Sequence, residues 1–141
     1  MGLREALDHI PLDLTYAIRI HSSHRIIDRF YKPLNGNGMC RSHDYTFDDL
    51  PRGNVRFLIK ERVHFTQDIA ERIITDFKEG IEDCKEVLVH CLRGKNRGPS
   101  IGMALNDIFN LGQDPTTLRD QYPEHLEHVY DLMMETAGYS Q

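Results

Sequence analysis

The run Val87-Leu88-Val89-His90-Cys91-Leu92-Arg93-Gly94-Lys95-Asn96-Arg97-Gly98-Pro99-Ser100 constrains this chain more than any other stretch. Three consecutive aliphatic residues read as a buried strand that ends at His90 and Cys91. A polar loop with glycines at 94 and 98 follows. Pro99 then opens a segment in which Ile101, Leu105 and Ile108 recur at helical spacing. A strand that turns through such a loop into a helix start aims backbone N–H groups and the positive helix end at one point. That point is an anion site, with Cys91 at its edge and Arg97 six positions later. A structural cysteine at a strand end would leave the cluster Arg93, Lys95 and Arg97 beside it unexplained.

The residue types suggest the reaction. A thiolate beside bound phosphate, with an arginine able to grip two phosphate oxygens, is equipment for covalent phosphoryl transfer. Loop N–H groups, the helix dipole and Arg97 all favour the anionic form of a cysteine placed there. Gly94 and Gly98 let the backbone curl without obstruction. Leu92, Arg93, Gly94, Lys95, Asn96 and Arg97 are therefore expected to wrap the phosphate, or sulfate or vanadate in its place. Arg97 stabilises the charge that develops in the transition state. The product of attack is a phosphocysteine, hydrolysed afterwards by water.

His90-Cys91, five residues and Arg97 resemble the signature loop of the cysteine-based protein tyrosine phosphatases, and the compact length resembles the dual-specificity branch. The resemblance is best over about residues 55 to 138 and faint before that. A signature at residue 91 is unlike the low-molecular-weight branch, whose loop lies near the N-terminus. The resemblance implies an α/β fold, with a mostly parallel central sheet flanked by helices on both faces. It implies no cofactor and no metal, and gives His90 a supporting role, hydrogen-bonding around the cysteine rather than acting as a base.

That family takes its general acid from an aspartate about thirty residues before the cysteine. Residues 50 to 67 hold no aspartate, and Glu61 is the carboxylate at that distance. Glu61 is nominated as the acid, although a surface glutamate paired with Lys60 or Arg62 is an equally good account of it. Asp48 and Asp49 are the alternatives on a longer loop. Asp68 lies inside a helix start, and His64 is the donor if no carboxylate reaches. A second departure is Gly98, where the family places a Ser or Thr that helps the cysteine leave; Ser100 lies two positions further on. Lysine-bearing loops resemble those of phosphoinositide phosphatases, and Gly-x-Asn-Arg resembles RNA 5′-triphosphatases, so Arg93 and Lys95 suit a substrate with more than one phosphate. The competing readings are a non-catalytic phosphate-binding module, motivated by Gly98 and the missing aspartate, and a rhodanese-like sulfurtransferase, whose loop is typically shorter.

At 141 residues with 40% hydrophobic content, the chain is expected to form one domain over residues 1–141 with a proper core. No apolar run is long enough to span a membrane. Met1-Gly2-Leu3-Arg4-Glu5-Ala6 lacks a signal-peptide apolar region and the hydroxyl residue of a myristoylation site. Three cysteines, Cys40, Cys84 and Cys91, suit a reducing compartment rather than a disulfide framework. A cytoplasmic protein is expected. Its net charge of −5 excludes a general nucleic-acid binder and sets off the local basic cluster.

Along the chain, residues 1–13 include a short helix and Leu14–Ile20 reads as a strand. His21-Ser-Ser-His24 reads as a loop without a third metal ligand. Asn35–Gly38 reads as a turn, and residues 40–54 as a polar connection near the active-site mouth. Val55–Ile59 reads as a second strand. Thr66 caps a helix with Ile69, Ile73, Phe77 and Ile81 on one face, its last turn weakened by Gly80. A helix over 99–111 ends at Gly112, Asp114-Pro115 starts a short one, and Leu126, Val129, Tyr130, Met133 and Ala137 line the last. Cys40 or Cys84 could form a protective disulfide with an oxidised Cys91, though burial is the commoner fate of a cysteine.

Overall fold

The computed structural model describes residues 1–23, 29–35, 40–48 and 63–139. Its centre is β1 (Thr15–His21), flanked by β2 (Cys40–Thr46) and β3 (Glu86–His90) in the order β2-β1-β3, all parallel. The pleat sends alternate β1 residues to opposite faces. Tyr16, Ile18 and Ile20 join the main core with Phe77, Ile101, Leu105 and Met133, while Ala17 packs with Ala6 and Leu88 on the other side. Thr15 to Ile20 are consequently all buried, the uninterrupted pattern of a parallel strand covered on both faces.

Helix α1 (Leu3–Asp8) covers one face of the sheet. The opposite face carries α2 (Gln67–Gly80), α3 (Arg97–Phe109) and α5 (Glu127–Thr136), with α4 (Pro115–Gln121) packed on α3. The expected α/β sheet with helices on both faces is therefore present. The strand expected at Val55–Ile59 and most of the turn at 35–38 lie outside the described residues.

The polar connection expected over 40–54 is corrected in its first half: residues 40–46 are β2, paired with β1 from Thr15↔Cys40 to His21↔Thr46. It escapes a hydrophobicity reading because it flanks the sheet with mostly exposed side chains. Tyr45 is the buried exception, and its hydroxyl donates to Asp76 Oδ2 of α2 at 2.6 Å. Helix α3 also starts two residues earlier than Pro99. A proline in the first turn loses no helical hydrogen bond, since those N–H groups have no partner four residues back. The end of α3 is Asn110 in the left-handed region (φ 55°), before Gly112 is reached.

Thr66 caps α2 by accepting from the Ile69 N–H, and Asp114 caps α4 by accepting from the Thr117 N–H. Gly80 does more than loosen the end of α2. A Cβ there would lie 2.8 Å from Cε2 of the fully buried Tyr16, so a bare backbone lets the helix approach the sheet. Gly80→Ala is expected to lose about 1–3 kcal/mol by overpacking despite alanine's better helix propensity, as measured by urea unfolding.

Candidate active site

The site lies beyond the carboxyl ends of the three strands, the usual ligand position in a parallel sheet. Strand β3 ends at His90, the loop 91–96 follows, and Arg97 begins α3. The Cys91 side chain is buried, and its Sγ accepts a hydrogen bond from the Gly94 N–H at 3.2 Å. Gly94 turns the loop with φ 77°, and a Cβ on it would meet Gly2 N at 2.4 Å. The first residues of the chain pack there because they pair with the outer edge of β3 and its loop. Cys91 N–H donates to Met1 O, and Leu3 N–H donates to Leu92 O.

Arg97 is buried at 6% exposure, and its Nη1 donates to Phe47 O at 2.8 Å and His21 O at 3.3 Å. Those carbonyls belong to the end of β1 and the residue just past β2. The other edge of the guanidinium, Nε with Nη2, has no bond to any described residue and is the edge a phosphate can take bidentately. Asn96, at the N-cap of α3, makes no side-chain cap bond; its amide donates to Glu124 O instead. The first N–H groups of α3 are thus left to an incoming anion. Leu92 and Asn96 are half-buried, whereas Arg93 and Lys95 are exposed on the rim.

His90 is fully buried, its Nδ1 lying 3.2 Å from Cys91 O and its Nε2 accepting from Arg19 Nε at 2.9 Å. Burial above all pushes its pKa down to about 4, with the Arg19 charge adding to the effect and the bond to Cys91 O opposing it. His90 is therefore neutral around pH 7 and donates from Nδ1.

The nominated acid Glu61 and the alternative Asp49 lie outside the described residues. Asp48 follows Phe47, whose carbonyl Arg97 holds, but its carboxylate is engaged. Oδ1 accepts from the Ser22 hydroxyl and the Ser23 N–H, and Oδ2 from the Ser23 hydroxyl and the Val63 N–H, over 2.6–3.1 Å. Burial pushes its pKa up, but the Ser23, Val63 and Ser22 donors outweigh that and hold it below the usual carboxylate range. A group so poor in protons is a clamp between two loops rather than a proton donor. Asp68 and His64 are exposed at the start of α2.

Ser100 is also spoken for. Its hydroxyl donates to Asn96 O at 2.5 Å and accepts from the Leu126 N–H at 2.6 Å, tying the loop to the start of α5. The protective disulfide is corrected by the register. Cys40 and Cys84 lie at the amino end of the sheet and Cys91 at its carboxyl end. The length of β3 alone separates them by about 13 Å, beyond the ~7 Å limit between Cα atoms of a disulfide. Of the histidines in the expected loop, His21 closes β1 with its Nε2 2.6 Å from Asp44 Oδ1, and His24 lies outside the described residues.

Two features had no advance signal: Arg19, hidden among strand residues, and the main-chain pairing of Met1 and Leu3 with the loop.

No family model and no curated protein matches the chain. Among solved structures, it is similar to a human tyrosine phosphatase-like serine/threonine/tyrosine-interacting protein. The identity is 19%, over 95% of this chain and 86% of that one, with a TM-score of 0.52. The fold is tyrosine phosphatase-like. The active form of Tk-PTP also aligns, at 17% identity over 89% of this chain and 79% of that one, with a TM-score of 0.41.

A carboxylate held below its unfolded value contributes stability that is present above that value and lost as pH falls through the folded one. Asp48→Asn is therefore expected to cost about 2 kcal/mol at pH 7. The gap to wild type should narrow as the pH drops below about 4, read from urea unfolding at several pH values.

Proposed function

We propose that the protein is a cysteine-dependent phosphatase that hydrolyses phosphomonoesters, protein phosphotyrosine or dual-specificity targets foremost, through a phosphocysteine on Cys91. One observation carries this reading: Cys91 Sγ sits under the Gly94 N–H while Arg97, anchored through Nη1, offers its Nε–Nη2 edge. A phosphate dianion gripped there presents its phosphorus to the sulfur. Sγ attacks, the bond to the leaving oxygen breaks, and that oxygen takes a proton from the general acid. Water then attacks the phosphocysteine, releasing inorganic phosphate and restoring the thiolate.

Glu61 is our assignment for the acid and Asp49 the alternative, because the hydrogen bonds of Asp48 oppose its protonation. The single domain spans residues 1–141 in this reading and works in the cytosol, where an odd cysteine count without a disulfide framework is at home. No described helix is long and apolar enough to cross a membrane.

A phosphate-binding protein without turnover is the second reading. It is favoured by the absence of a hydroxyl at residue 98, with that of Ser100 engaged elsewhere. A Cβ at Gly98 would lie 3.4 Å from Cys91 Sγ, an ordinary contact, so a serine hydroxyl there reaches the sulfur.

Hydrolysis of p-nitrophenyl phosphate, inhibited by vanadate, is the deciding assay. Cys91→Ser is expected to lower turnover by more than about a thousandfold, and Arg97→Lys by about a hundredfold. Wild-type binding of phosphopeptide with no turnover establishes the second reading instead. Because Gly98 supplies no hydroxyl to the departing sulfur, wild type should show a burst of p-nitrophenol before a slow steady state. Gly98→Ser is expected to raise the steady rate several-fold, and an unchanged rate removes slow breakdown as the limit. Running phosphotyrosyl peptides beside phosphoinositides and 5′-triphosphorylated RNA tests whether exposed Arg93 and Lys95 select a second phosphate.

A further inference from the structure

The molecule buries a second arginine near the loop, and nothing in the chemistry above uses it. Arg19 is 6% exposed on β1, directly across from His90 in the ladder. Its Nε donates to His90 Nε2 at 2.9 Å, its Nη2 donates to Lys32 O at 2.6 Å, and its guanidinium lies 5.6 Å from the Tyr31 ring centroid. No carboxylate pairs with it among the described residues. A buried charge without a counter-ion is costly, so its placement calls for a return elsewhere.

The return lies in the hydrogen-bond polarity. A guanidinium only donates, so the His90 nitrogen facing it carries no proton. The imidazole proton is thereby assigned to Nδ1, 3.2 Å from Cys91 O. That carbonyl belongs to the first residue of the loop. Turned into the cup it would repel a dianion, and bonded to Nδ1–H it is held outside, leaving the cup to N–H groups.

We propose that Arg19 is a positioning residue for the phosphate loop: it fixes His90 as the neutral Nδ1–H tautomer, which in turn holds the Cys91 carbonyl out of the anion site. The inference rests on the reading of residues 91–97 as a phosphate cup. The groups facing His90 are Arg19 and His21 of β1, the Tyr31 ring at 5.4 Å, and the Met1 ammonium, which donates to Val89 O beside it. Met1 and His21 disfavour an imidazolium, and the hydrogen bond that selects the tautomer is the one Arg19 donates to Nε2.

Imidazole ¹⁵N NMR on the wild type, free and with vanadate, tests this without any substitution. The expected spectrum has a bare Nε2 and a protonated Nδ1 at pH 7. A wild-type Nε2–H tautomer overturns the proposal.

Arg19→Gln and Arg19→Lys supply the second arm. A glutamine carbonyl can accept from Nε2–H, so His90 in Arg19→Gln is expected to bind a proton about tenfold more tightly. Its kcat/KM toward p-nitrophenyl phosphate, relative to wild type, should fall above pH 7, where the neutral ring can place its proton on Nε2, and recover toward pH 5, where the imidazolium again donates from Nδ1, with the loss appearing mainly as a raised KM. Arg19→Lys keeps a donor-only cation and should restore the wild-type tautomer and pH profile. An Arg19→Gln protein whose His90 titration and tautomer match wild type overturns the proposal. A protein with no phosphatase activity sinks the functional reading, yet the NMR arms still decide the role of Arg19.

Discussion

The guanidinium of Arg97 is the tie on which the carboxyl edge of the sheet depends. It grows from the loop that β3 feeds, and its Nη1 bonds the last carbonyl of β1 and the first carbonyl past β2. One side chain thus fixes the ends of all three described strands relative to the loop. Because carbonyls are neutral, the tie leaves its positive charge without a carboxylate partner among the described residues. The burial that makes these bonds strong also makes an unpaired charge costly. In the function we propose, a dianion arriving at the free edge relieves that cost.

Arg19 repeats the arrangement on the other face of β1. It too is buried, bonded to a carbonyl and a neutral acceptor, and without a carboxylate among the described residues. Two such arginines place buried positive charge near the carboxyl end of β1. Asp48 stays ionised but is held by serine and backbone donors, and His90 stays neutral through burial.

The chain shows how unevenly such a site can be read in advance. The strand–loop–helix grammar of residues 87–109 was legible because aliphatic runs, glycines and an early proline each carry a local backbone preference. Strand β2 was not, since with Tyr45 as its buried side chain among residues 41–46 it has almost no hydrophobic period to detect. The engagement of Ser100 by Asn96 and Leu126 spans 26 residues, and that of Asp48 by Val63 spans 15. Neither leaves a mark in local composition. Cys40 and Cys84 looked available to Cys91 only until the parallel register put them at the opposite end of the sheet.

By itself, the order of residues determined the local elements around the loop: a buried strand, a glycine-bearing turn, a helix, with Cys91 and Arg97 at fixed spacing. These follow from short-range sterics and periodicity, which act over a few residues. Tertiary structure decided which edge of Arg97 faces outward, which nitrogen of His90 holds the proton, and which carboxylate is already spent. Those properties depend on burial and on partners brought from 15 to 76 residues away. Hydrogen-bond direction and the cost of an unpaired charge come into force only when the folded chain excludes water.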